Sequence, residues 1–309
     1  MLKEKTSPYL KKLIKKSPAI ARQFLANPRQ EKDNFPLDPF EEEKHTPLKG
    51  LIHKYPNRVL ILLTLQCAAY CRFCFRRRCV SQIQKGKITS QDLEKMKNYL
   101  LAHKEVSEVI LSGGDPFLVP QTLKKALQIF SSLPQIKTIR IGTRVPVTQP
   151  QAVTPSLLQT FSQIPQPLWI LIHFNHPDEI TPQTIAAIQK LRESKAILLS
   201  QTVFLSRVND SFKTLFKLFT QLVQIGVKPY YLFHCDPVSG NKKFQVPLEK
   251  EIKIVTQLRK ELSGLAFPLF VIEAPGKIGK IPVPLDFWDF RKESFFDFQG
   301  EKAFLPFFS

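Results

Sequence analysis

Short apolar, β-branched runs alternate along this chain with stretches of about a dozen residues whose apolar positions recur at helical spacing. The runs predict strands over residues 59–65, 108–112, 138–142, 169–174, 196–205 and 228–234, with a further run at 269–273. The stretches between them predict helices over 90–102, 121–132, 155–162, 182–193, 211–224 and 248–262. Start signals precede several of these helices: Thr89 or Ser90, Thr154, Thr181, and Asp210 with Ser211. Pro155 and Pro182 stand where a first-turn proline is tolerated. Apolar strands separated by helices imply a parallel sheet covered by helices. Six βα units are too few for an eight-fold barrel, so the expected fold class is α/β, an open or partial (β/α)6 barrel. Chemistry in such folds gathers at the C-terminal ends of the strands.

Residues 6–27 predict two short helices with Leu10, Leu13 and Ile14 facing inward. The expected organisation is a helical extension over 1–50, a core over 51–285 that ends in a lysine-bearing strand and loop, and a phenylalanine-rich tail over 286–309. That tail either packs back on the barrel or forms an exposed interface. With 309 residues, 43% of them apolar, the chain can bury a sizeable core. No apolar run reaches the roughly 18 residues of a membrane span, and polar residues interrupt the N-terminus, so neither a span nor a secretory signal is expected. The net charge of +19 would attract nucleic acid or anionic lipid. The lysines, however, occur as pairs such as Lys11-Lys12 and Lys242-Lys243, and no interleaved basic and aromatic module is present. A basic iron–sulphur protein that binds RNA is therefore the disfavoured, non-enzymatic alternative, and no membrane partner is expected.

Four of the five cysteines, Cys67, Cys71, Cys74 and Cys79, fall close together, and the fifth is Cys235. Such clustering points to a metal site in a reducing compartment, the cytoplasm, rather than to a disulfide framework. The spacing Cys67-x3-Cys71-x2-Cys74 directly follows the first strand. Three thiolates can hold three irons of a four-iron cluster and leave the fourth open to a small chelating molecule. The rivals are structural zinc, which more often uses separated pairs, and a four-cysteine cluster with Cys79, which completes no familiar spacing. At the end of the second strand lies Ser112-Gly113-Gly114-Asp115-Pro116, whose glycines would let backbone approach a ligand and whose amides could meet it.

Further motifs follow at the later strand ends: Arg140-Ile141-Gly142-Thr143-Arg144, His173-Phe174-Asn175-His176-Pro177, Ser200-Gln201-Thr202-Val203, Tyr230 to Asp236, and Val271 to Lys280. The triad resembles the signature of the radical S-adenosylmethionine superfamily. In combination and order, the motifs from about Lys44 to Pro284 resemble the lysine 2,3-aminomutase family. The resemblance implies a partial radical-SAM barrel and three cofactors: a [4Fe-4S] cluster on Cys67, Cys71 and Cys74, S-adenosyl-L-methionine, and pyridoxal 5′-phosphate on Lys280. It further implies S-adenosylmethionine contacts from Gly113, Gly114, Asp115, His173 and Gln201. Arg76 would clamp the substrate carboxylate, while Asp236 and Glu273 would hold its distant ammonium. Arg77 could serve phosphate or cluster charge, and Arg144 would face an anionic group. The implied reaction is isomerisation of L-lysine to β-lysine, with a flavodoxin or ferredoxin as reductant and a homodimer as assembly. Lys277 and Ile278 replace glycines usual before the Schiff-base lysine, and Glu273 stands where aspartate is common. The short length and Phe75 also resemble the subgroup that makes (R)-β-lysine for elongation factor P. An aminomutase for another amino acid is a further alternative, and the two acids would repel glutamate.

Overall fold

The computed structural model describes residues 2–276, 279–289, 294–299 and 301–304. Its main sheet has nine strands in the order of the chain: β1 (Leu51–Tyr55), β2 (Arg58–Thr64), β3 (Glu108–Gly113), β4 (Thr138–Thr143), β5 (Leu168–His173), β6 (Ile197–Val203), β7 (Lys228–Phe233), β8 (Leu269–Glu273) and β9 (Lys280–Pro282). Strands β2 to β8 pair in parallel, while β1 and β9 pair antiparallel at the two edges. Six crossovers join the parallel strands, as the alternation of the sequence predicted, and the sheet curls into an open, partial barrel. The apolar periodicity does not announce β1 as a separate hairpin strand, because its outer residues are only half-buried.

Nine helices accompany the sheet: α1 (Pro8–Ile14), α2 (Pro18–Phe24), α3 (Ser90–Ala102), α4 (Pro120–Ser131), α5 (Val145–Thr148), α6 (Pro155–Ser162), α7 (Pro182–Glu193), α8 (Phe212–Gln224) and α9 (Leu248–Glu261) among the described residues. Thr89 caps α3 in a reciprocal pair with Asp92, and Thr154, Thr181 and Ser211 cap α6, α7 and α8. Leu215, Leu218, Phe219 and Leu222 form the buried stripe of α8 at helical spacing. One side of each strand meets such stripes: Val59, Ile61 and Leu63, then Val109 and Leu111, then Ile139 and Ile141, then Leu168, Ile170 and Ile172. The alternate positions, including Ser112, Arg140, Trp169, His173, Gln201 and Tyr231, line the lumen. The period of two along a strand thus separates core from site.

The N-terminal segment is no detached extension. Leu10, Ile20 and Phe24 pack against Ala69 of the cysteine loop, and Leu2 packs against Tyr70 and Val80. Further along, Ser239 N donates to Pro36 O, Gly240 N to Asp33, and Gly276 N to Pro39 O. Residues 2–45 therefore run across the mouth from the loop after β2 to the loops after β7 and β8, bridging the gap that the open sheet leaves. At the other end, Val283 and Leu285 join the core. Asp286 N donates to Thr256 on α9, and Arg259 lies over Phe298. The tail's short strands β10 (Trp288–Asp289), β11 (Ser294–Phe296) and β12 (Lys302–Phe304) form a second sheet, with Phe298 still exposed. Lys277 and Ile278 lie outside the described residues.

Candidate active site

A cavity of about 840 Å³ opens at the C-terminal ends of the parallel strands. Cys67, Cys71 and Cys74 all line it, whereas Cys79 does not. The loop that carries them has few backbone partners of its own and is strapped from outside. Tyr70 N donates to Lys5 O, and Arg72 N donates to Gln23 O. The fully buried Arg72 guanidinium reaches Leu2 O and Lys3 O and pairs with Glu31. Arg77 and Lys243 converge on the same Glu31 carboxylate, so three cations behind the loop share one anion. Arg77, expected near phosphate or cluster charge, is thus a structural partner of Glu31.

Burial, and the neighbouring Cys74, push the Cys67 thiol well up, and burial with Cys71 pushes Cys74 to about 12. Thiols in this state become thiolates only when a cationic group arrives to hold them. Three thiolates on this loop would each hold a different corner of a cuboidal cluster.

Behind the triad, the glycine turn packs directly on the root of the cysteine loop. Gly114 N donates to Thr64 O at 2.6 Å and Asp115 N to Gln66 O at 2.7 Å. These amides, which the sequence pointed toward a ligand, serve the fold. Asp115 likewise turns its buried carboxylate to Thr143 Oγ1, Arg144 N and Phe117 N. The glycines are required by contact: a Cβ on Gly113, at φ +126°, would sit 2.2 Å from Thr64 O, and one on Gly114 2.1 Å from Gln66 O. Gly114→Ala is expected to destabilise the protein by about 3 kcal/mol and to lower its capacity to hold iron. Denaturant midpoints and iron content of the two proteins, compared side by side, test this; an unchanged pair would show that the loop root can shift freely.

His173 and Gln201 both line the cavity, at the ends of β5 and β6. Burial, reinforced by Arg144, pushes His173 down to about 3, so its ring is neutral. Its Nε2 lies 3.0 Å from Asn175 Oδ1, an acceptor also used by Val203 N. The proton therefore sits on Nε2 and leaves Nδ1 as an acceptor. Arg144 pairs with the Glu179 carboxylate at 2.9 Å from Nη2 and donates to the Cys71 sulfur at 2.8 Å from Nη1.

Across the cavity, Arg76 holds a carboxylate, though one from its own chain. Its Nε and Nη2 grip both oxygens of Glu42 at 2.6–3.2 Å. Asp236, Glu273 and Lys280 line the same cavity. Glu273 and Lys280 face each other across the β8–β9 register, and Lys280 Nζ lies 2.6 Å from Glu273 Oε2. Burial, with Glu273 adding repulsion, raises the Asp236 carboxyl to about 7. Beside it, His234 is pushed up, because the buried Glu251 at 2.8 Å outweighs burial. Lys54 and Arg58, on β1 and β2, add positive charge to the wall.

Every site residue named from the sequence other than Arg77 thus reaches the cavity wall. Sequence reasoning missed Glu42, Glu31, Gln23 and Glu179. The first three lie in the N-terminal segment, where no motif marks them. Glu179 follows the His173–Pro177 motif by two positions and could have been found by extending it.

Fold and site together define a partial βα barrel with three cysteines, Cys67, Cys71 and Cys74, lining its cavity. A family model described as a 4Fe-4S single cluster domain matches residues 57–143, the span that holds the triad. The fold resembles Streptococcus suis SuiB bound to S-adenosylmethionine (TM-score 0.52, 14% identity, covering 75% of this chain and 52% of that one). It also resembles a radical SAM methyltransferase from Sphaerobacter thermophilus (TM-score 0.51, 15% identity, covering 72% and 68%). The L-lysine 2,3-aminomutase of Fusobacterium nucleatum is 40% identical over 248 residues, 80% of this chain and 58% of its own. That of Clostridium subterminale is 40% identical over 247 residues, and 59% of it is covered, so the chain spans about three-fifths of these relatives. The Aquifex aeolicus relative is 39% identical over 266 residues, 85% of this chain and 70% of its own. The chain belongs to the lysine 2,3-aminomutase family.

Proposed function

We propose that this chain moves the α-amino group of L-lysine to the neighbouring carbon to give β-lysine, with a [4Fe-4S] cluster, S-adenosyl-L-methionine and pyridoxal 5′-phosphate as cofactors. The observation that carries this is that one cavity is lined at once by the cysteine triad, Arg76, Asp236, Glu273 and Lys280. When bound, these groups supply a hydrogen-abstracting radical from S-adenosylmethionine and an aromatic ring able to conjugate with the substrate nitrogen.

The chain's own residues bind and orient. Cys67, Cys71 and Cys74 hold the cluster, and a low-potential reductant such as flavodoxin or ferredoxin feeds it. The neutral His173 offers Nδ1 as an acceptor, and Gln201 offers an amide, toward S-adenosylmethionine. Lys280 supplies the amine that pyridoxal phosphate needs. Arg76 already shows the fork a substrate carboxylate requires, since Glu42 occupies it. Lys280 would hold pyridoxal phosphate through its amine, and Glu273 and Asp236 would offer the cavity two acids, matched to a cationic side chain and hostile to an acidic one.

That electrostatic match sets a pH dependence. Asp236 binds the ammonium only as carboxylate, and it becomes carboxylate above about 7. The KM for L-lysine should therefore rise as pH falls below 7, by about tenfold per unit for one proton. Asp236→Asn should raise KM throughout and flatten the profile; a parental KM flat from neutral to mildly acidic pH would remove Asp236 from ammonium recognition. The reaction itself is tested by anaerobic reconstitution with iron and sulphide. The protein is then incubated with reductant, S-adenosylmethionine, pyridoxal phosphate and L-lysine, and β-lysine enantiomers are separated. Absence of β-lysine from protein carrying a full cluster and bound pyridoxal phosphate would refute the lysine assignment.

A further inference from the structure

We propose that Arg144 sets the reduction potential of the cluster, by donating from Nη1 to the Cys71 sulfur. This rests on the assignment of the triad as a cluster site. Arg144 is buried, and every other contact fixes where it points. Its Nη2 donates to Gln23 Oε1 at 2.6 Å and to Glu179 Oε1 at 2.9 Å. Its backbone amide is held by Asp115, and its guanidinium lies between Phe24 and Phe73, 4.7 and 5.2 Å from the ring centres.

The anchors are themselves anchored. Gln23 donates to Glu179 and accepts from Asn175, and Asn175 N donates to Glu179 Oε2. Asn175 Oδ1 in turn accepts a hydrogen bond from His173 Nε2. One continuous network thus joins the cysteine loop, the glycine turn, the motif after β5 and helix α2, and it ends on a ligating sulfur. Arg144 Nε is also buried without a hydrogen-bond partner among the described residues.

Adding one electron to a [4Fe-4S]2+ cluster makes the centre more negative, and no bond forms or breaks. An N–H···S bond and a fixed positive charge both favour the reduced form, and both raise the potential. Glu179 does not cancel this, because it binds Nη2 while Nη1 meets the sulfur, so the pair is a dipole with its positive end on Cys71. Gln23 and Glu179 are positioning residues in this scheme, and Arg144 acts through Cys71.

The test compares the parent with Arg144→Lys, Arg144→Met and the double variant Arg144→Met/Glu179→Gln, which leaves no buried charge unpaired. Each is reconstituted, assayed for iron and sulphide, and titrated with dithionite and mediators, with the reduced cluster followed by electron paramagnetic resonance. In the double variant the reduced form should be disfavoured about tenfold, a midpoint lower by about 59 mV for a one-electron couple. Arg144→Lys should fall between the two. A loaded double variant with the parental midpoint, or a higher one, overturns the proposal. Should the methionine variants load no iron, Arg144→Lys decides: a lowered midpoint supports the proposal and an unchanged one overturns it. A parent that loads no cluster would instead refute the assignment of the triad.

Discussion

Cys67→Ala is expected to leave a folded protein that holds no intact cluster and turns over no lysine. Two thiolates cannot hold three corners of the cluster, and the nearby Asp115 carboxylate is already engaged by Thr143, Arg144 N and Phe117 N. Cys79 lies off the cavity, with its thiol 3.2 Å from Arg76 O in the turn that follows the triad. Without the cluster nothing cleaves S-adenosylmethionine, so the loss should reach at least about a millionfold, the scale of an enzyme deprived of its chemistry. The fold should survive, because the loop is strapped by Lys5, Gln23, Glu31 and Arg72 rather than by the sulfur atoms. Iron and sulphide content, the visible spectrum and circular dichroism check this together. Cys79→Ala is the contrasting variant and should keep both cluster and activity. Loss of the cluster there would establish a four-cysteine site and close the open iron.

Lys280→Ala should have the second largest effect, and it should leave the cluster untouched. Lys280 stands on the edge strand β9, across the cavity from the loop that bears the triad, and its polar partner is Glu273. Removing it takes away the amine that captures pyridoxal phosphate, with little packing lost from a partly exposed side chain. Turnover should fall by about 10⁴-fold, as when one member of an interdependent catalytic unit is deleted. Iron content and the spectrum of the reduced cluster should match the parent. The visible absorbance of protein-bound pyridoxal phosphate should vanish. A variant that also loses the cluster would show that the two cofactor sites are not independent.

The Glu42–Arg76 pair bears on both variants. A carboxylate from the chain itself sits where the substrate carboxylate would bind, and Arg76 holds Glu42 below the usual carboxylate range although burial opposes this. On the proposed function, a substrate carboxylate that takes the Arg76 fork would have to displace Glu42.

Much of this molecule was legible along the chain. Alternating apolar runs and amphipathic stretches sufficed for β2 to β8 and their helices, because each depends on a local period and a local cap. The cysteine triad was legible too, since its spacing is itself the signal, and the glycine pair was legible as a tight turn. Lys280, by contrast, would have passed for an ordinary loop lysine without the motifs around it. The contacts of Asp115 with Thr143 and of Arg77 with Glu31 could not be read from sequence, since a carboxylate or a guanidinium reads the same whether it meets a ligand or a neighbour.

What the sequence by itself determined, then, is the order of elements and the inventory of reactive groups at the strand ends. Only the tertiary structure decided that residues 2–45 close the mouth, that Arg76 grips Glu42, and that Arg144 reaches from Gln23 and Glu179 to Cys71. These contacts join residues up to more than a hundred positions apart, as Gln23 and Arg144 are. A single side chain aimed across a cavity adds nothing to the periodicity of its own segment. It acquires a partner only when the sheet curls and the strap is laid across it.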